Sequence, residues 1–259
     1  MTMPHTGPAE VSAVHAGGAP PARRILAHAS FELRTVLRNG EQLLLTLILP
    51  ALFLVVLART ELIRLDVGGA ARIDVVAPGI LALAVMSSAF TSQAISTGFD
   101  RRSGALRMLA TTPLGRGGLL GGKILGVLAM QAVQVLVLGA LAFVLGWRPA
   151  LSGVPLALLA VLLGTAAFTA LALLLAGTLR AEAVLAGANL LWVLLVIGGG
   201  IVLPAGGWTR YLPSGALGEA MRQSLQHGGA STSALLALVV LAGWAAVFAA
   251  AAVRWFRWH

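Results

Sequence analysis

The segment DRRSGALRMLATTPLGRGGLLGGK, Asp100 to Lys123, decides how this chain folds. It concentrates Arg101, Arg102, Arg107, Arg116 and Lys123 between two runs, Val75 to Phe99 and Ile124 to Trp147, that contain no Asp, Glu, Lys, Arg or His. A hydrocarbon core about 30 Å thick requires roughly 20 apolar residues from a helix rising 1.5 Å per residue, and both runs satisfy that requirement. The basic segment is therefore a loop on one membrane surface, joining two spans.

Outward from this loop the same pattern recurs. Leu43 to Ala58, Leu151 to Leu179, Ala183 to Leu203 and Ser231 to Val253 are the other uncharged apolar runs. The expectation is an all-α integral membrane protein with six transmembrane helices. With 58% hydrophobic and 10% charged residues and a mean hydropathy of +0.92, the chain is far from a soluble domain. After six spans, 259 residues leave no room for a large soluble domain. The first run covers only about 24 Å, so its helix should begin a turn earlier, at Glu41 or Gln42. Pro50 inside it predicts a kink, with a neighbouring helix or water supplying the freed carbonyl.

Residues 1–21 are rich in Ala, Gly, Pro and His, lack the hydrophobic region of a signal peptide, and read as a disordered tail. Residues 22–39 read as an interfacial amphipathic helix: Ile25, Leu26, Ala29, Leu33, Val36 and Leu37 share one face, with Arg24, His28, Glu32, Thr35 and Arg38 opposite. In residues 204–230, Leu217, Met221 and Leu225 recur at helical spacing after Trp208, Tyr211 and Pro213, predicting a re-entrant or interfacial helix. It would either cap a transport path or simply connect two spans.

Basic residues orient the chain. With the N-terminus inside, twelve Lys and Arg fall on the cytoplasmic side and six (Arg59, Arg64, Arg72, Arg148, Arg210, Arg222) on the other, so both termini are expected in the cytoplasm. The aromatic and basic run Arg254 to Trp258 fits a helix leaving the membrane inward. Cysteine is absent, excluding disulfides and thiolate chemistry, and the five His lie outside the spans.

Ion-driven transporters carry titratable groups or broken helices near the midplane. These spans hold no ionisable side chain, so free energy must enter from outside the membrane or the protein is passive. Their polar residues are uncharged. Most such groups bond helix to helix, and the alternative is a weakly polar path for an amphipathic substrate, formed by Ser88, Thr91, Gln93, Gln131, Gln134 and Asn189.

Within the loop, Leu106, Leu109 and Ala110 share a helical face, Arg107 projects elsewhere, and Thr111, Thr112 and Pro113 stop the helix. An apolar ridge with flanking arginines can seat in a groove on a soluble partner, and a plain basic loop obeying the positive-inside rule is the other reading. The run Phe99 to Leu114, followed by Gly122-Lys123-Ile124-Leu125, resembles the cytoplasmic loop of type-2 ATP-binding-cassette exporter permeases, particularly the daunorubicin-resistance permease group. The resemblance extends over about residues 22–259, with Asp100 where many relatives have Glu. It implies a coupling helix through which a separate ATPase subunit docks, involving Asp100, Arg101, Arg102, Gly104, Leu106, Arg107, Leu109 and Pro113. It further implies a second permease chain, as homodimer or heterodimer, in a bacterial plasma membrane. Export of a drug, antibiotic or lipid-like compound is implied, or of a lipid-linked glycan on the same fold. ATP and magnesium would be bound by the partner, and no cofactor by this chain.

Gly117 to Lys123 satisfies GxxxxGK, but Ile124 stands where a P-loop needs Ser or Thr for magnesium, so no nucleotide site is expected here. An intramembrane enzyme would need clustered His, Glu, Asp or Ser-Lys groups, and only the lone Glu182 offers itself, as a favourable start to the fifth span. A passive channel or scaffold is the remaining class.

Overall fold

The computed structural model describes residues 20–38, 40–60, 71–104, 108, 115–204 and 206–255, and all regular structure among them is helical. The proposed tail lies outside the described residues up to position 19. Helix α1 spans Pro21–Arg38, with proline in the first turn, where a missing N–H costs nothing. Helix α2 runs without a break from Gly40–Leu43 through a π-helical turn, Leu44–Ile48, into Leu49–Arg59, starting before Leu43 as its length demanded. Helix α3 is Arg72–Arg102, interrupted by a second π-helical stretch at Ser87–Ser92. The remaining helices are α4 (Gly115–Val144), α5 (Val154–Thr178), α6 (Ala181–Gly198), α7 (Pro213–His227) and α8 (Thr232–Trp255). Five of these helices (α3, α4, α5, α6, α8) are long and apolar enough to cross a membrane, and the apolar part of α2, Thr46–Arg59, is shorter.

Helix α3 is the axis of the molecule. Its apolar window is 89% buried, against 22% for those of α6 and α8, because α2, α4, α5, α6 and α7 all pack on it. Lipid gives little apolar driving force between helices, so association depends on close fit. Small residues supply it: Ala82, Ala84, Ala89 and Ala94 on α3 and Ala160, Ala167, Ala172 and Ala176 on α5 are essentially inaccessible, filled in by Ile80, Met86, Phe90 and Phe168.

Two expected boundaries change, and the helix after α6 gains its packing. Helix α4 begins at Gly115, well before the expected span start at Ile124, so the glycines of residues 115–122 are helical. The reason is α1, which lies across this end of α4: a Cβ on Gly126 would come 2.9 Å from Glu32 Cβ, and one on Gly122 would collide with His28. Helix α6 stops at Gly198 rather than Leu203, where three glycines, one with φ +64° at Gly200, let the chain leave the helix. Helix α7 is packed into the bundle. Leu217, Met221, Arg222 and Leu225 are all buried as it packs among α3, α5 and α8. A Cβ on Gly218 would reach 2.5 Å from the Ile201 carbonyl, so only glycine permits this approach.

The helix-breaking residues are answered across the fold. Pro50 deprives the Thr46 carbonyl of its usual helical donor, and Gln134 Nε2 of α4 donates to that carbonyl at 2.8 Å. Pro78 does the same to Asp74, whose carbonyl accepts from Gln226 Nε2 of α7 at 2.7 Å. Beyond the end of α6, Arg222 donates to the Ile201 and Gly200 carbonyls at 2.9 and 3.2 Å. Gln134→Leu should therefore cost about 0.6 to 1.7 kcal/mol. The cost should shrink in a Pro50→Ala background, where residue 50 regains an N–H for Thr46. A double-mutant cycle of thermal unfolding in detergent checks this, and equal costs in both backgrounds would contradict the pairing.

Candidate functional site

The basic loop springs from the last turn of α3 and re-enters α4, and its two ends are tied together. Lys123 Nζ on α4 pairs with Asp100 Oδ2 on α3 at 2.8 Å and with Glu32 Oε1 on α1 at 3.3 Å. Ser96 Oγ lies 3.5 Å away. The lysine side chain is 4% exposed. Burying an ammonium is costly unless it is paired and hydrogen-bonded, and two carboxylates with a hydroxyl provide that environment. His28 Nε2, one helical turn before Glu32, approaches the same carboxylate at 3.5 Å. The polar side of α1 containing His28 and Glu32 thus faces inward, whereas Leu26 and Phe31 are exposed. Ile25, Ala29, Leu33 and Val36 of the expected apolar face also turn inward, and what the amphipathic pattern missed is the demand that a buried lysine makes on Glu32.

Arg101 and Arg102 tie the loop to a different partner. Arg101 Nη2 donates to the Leu179 carbonyl at the end of α5, and Arg102 pairs with Glu182 in the first turn of α6. Glu182 also sits favourably at the positive end of its helix. Gly104, at φ +76°, ends α3 in the left-handed conformation that a side chain would resist, its N–H bonded to the Arg101 carbonyl at 3.2 Å. Met108 resumes helix with its N–H on the Gly104 carbonyl at 3.1 Å, and its side chain is exposed. Leu106, Arg107, Leu109 and Pro113 lie outside the described residues.

The six residues assigned to a polar path separate. Ser88 and Gln93 meet at a recess with Glu32, Thr46, Ser92 and Gly126, where both π-helical stretches converge. Gln131 is committed to packing: its amide nitrogen lies 3.4 Å from Ser88 Oγ and from the Val85 carbonyl, and its oxygen accepts from Thr165 Oγ1 at 2.8 Å. Gln134 serves Thr46. Thr91 is half-buried outside that recess, and Asn189 is exposed on α6. Glu32, Ser96 and Lys123 were not among the expected site residues. Opposite charges at the two ends of one loop were a readable signal for the Asp100 to Lys123 pair, but nothing local predicted Glu32.

The GxxxxGK match is refuted by geometry as well as by Ile124, since residues 117–123 are helical and Lys123 is held by carboxylates. What the fold defines is a multi-pass helical membrane protein whose loop face joins α1, α3, α4, α5 and α6. The family described as ABC-2 family transporter protein matches residues 67–254, and the chain belongs to it. It is thus the permease component of an ATP-binding-cassette transporter, a family in which the ATPase activity resides in a partner. No curated protein matches the chain in sequence. Helices α1 and α2 precede the matched region.

The two sets of ties should differ in strength. Lys123→Met strands two carboxylates and should lower stability by about 3 to 5 kcal/mol, whereas Arg102→Met breaks an exposed pair worth about 1 kcal/mol at most. Thermal unfolding of the purified variants ranks them, and comparable losses would contradict this assignment.

Proposed function

We propose that the chain is an export permease with six spans and both termini in the cytoplasm, moving a hydrophobic or amphipathic compound outward. A separate ATPase docks on residues 100–123 and drives it. The observation that carries this reading is the anchoring of the loop: its two ends are bound to each other and to α1, α5 and α6, so force applied there reaches three helices besides α3 and α4 directly. The apolar spans contain no titratable side chain that could couple transport to protons.

In this reading Leu106, Leu109 and the exposed Met108 form the apolar contact with the ATPase, Arg107 fixes its register, and Pro113 ends the docking helix. Arg101, Arg102 and Asp100 act behind that contact, holding the loop to the bundle. A second permease chain, identical or related, completes the transporter, and a weakly polar route including Ser88 and Gln93 serves the substrate.

Co-expression with an ATPase encoded beside the gene tests the docking. Leu106→Asp with Leu109→Asp should reduce co-purification of the ATPase at least tenfold while leaving the permease folded. Transport in vesicles should require ATP. Solute movement driven by a proton or sodium gradient without nucleotide would overturn the reading.

A further inference from the structure

Helix α1 lies outside the family match, yet it is joined to the base of the loop more closely than a surface anchor needs to be. An amphipathic helix that merely floats at the headgroups turns its polar residues to water. Here Glu32 points inward to a buried Lys123, and Gly122 and Gly126 of α4 give up their side chains to let α1 approach. Lys123 in turn holds Asp100 of α3. His28 and Ser96 complete the polar surroundings of this centre. Removing a single partner from a buried ionic group leaves an uncompensated charge, which makes such a contact a joint rather than a sliding surface.

We propose that Glu32 and Lys123 are positioning residues that make α1 part of the driven body, so that α1, the loop end of α3 and the start of α4 move together when the ATPase acts. The proposal rests on docking at residues 100–123, and it adds a helix that lies outside the matched residues 67–254. In it, α1 sweeps through the inner headgroup layer with each cycle instead of staying fixed to the membrane.

The absence of cysteine from this chain removes background labelling of the permease itself. A Cβ at Gly121 would lie 3.7 Å from Ile25 Cγ2, so Ile25→Cys with Gly121→Cys can be locked by a short, cleavable methanethiosulfonate cross-linker. In proteoliposomes containing the permease and its ATPase, the locked complex should retain at least half of its ATP turnover. Spin labels at Leu26→Cys and Leu125→Cys should give one narrow distance distribution that does not move on vanadate trapping, and Glu32→Gln should broaden or split it. A fivefold loss of turnover on locking that reductant restores, a label distance that shifts on trapping, or a Glu32→Gln distribution identical to that of the parent would each overturn the proposal. If no ATPase co-purifies, the docking reading fails instead. The label distance in the permease alone then still reads the joint, with the same expected narrowing and the same broadening in Glu32→Gln.

Discussion

Inside a bilayer no water is available to a backbone carbonyl that has lost its helical donor, and each unanswered group costs several kcal/mol. This constraint accounts for more of the molecule than any apolar contact does. Pro50 and Pro78 each free a carbonyl, and in both cases a glutamine from a helix distant in sequence supplies the missing N–H. The chain beyond α6 is closed by Arg222 in the same way. Arg72 Nε on α3 reaches the Leu57 carbonyl near the end of α2 at 2.5 Å. Every interruption in a helix thereby becomes a specific contact between helices, which a stripe of leucines against leucines would not provide.

The consequence is that α3 is held along its whole length by different means. Near its start Gln226 of α7 grips Asp74, in its π-helical middle Trp192 Nε1 of α6 bonds Ser87 at 2.9 Å, and at its end Asp100, Arg101 and Arg102 engage α4, α5 and α6. Helix α7, which caps the end opposite the loop, is therefore linked to the loop face through one continuous 31-residue helix. The two π-helical stretches lie where α2 and α3 border the same recess as Glu32. Such widened turns carry poorer internal bonding and commonly mark places where a helix yields or binds.

How far this was legible depended on whether the signal was local. Uncharged runs located the long helices, and the shortness of Leu43 to Ala58 correctly demanded an earlier start, found at Gly40. The need for a donor opposite Pro50 was readable, but its identity was not, because Gln134 lies 88 residues away in sequence. Helix α7 was placed by its spacing of Leu217, Met221 and Leu225, yet its burial depended on Gly218 meeting the Ile201 carbonyl, a relation between two segments. Gly121 and Gly122 leave space for α1, which no pattern within their own segment announces. Amphipathicity identified α1 but reversed part of its orientation, since periodicity cannot register a buried cation elsewhere that attracts Glu32.

The ties at the loop face also differ in what they can withstand. Arg102 and Glu182 have side chains 61% and 67% exposed, so solvent screens their attraction and the pair contributes about 1 kcal/mol at most. Lys123 is by comparison 4% exposed, and removing its partners strands a buried charge at a cost of about 3 to 5 kcal/mol. The burial of Lys123 against the exposure of Arg102 thus gives the loop face one strong connection, joining α1, α3 and α4, and one weak one, joining α3 to α6.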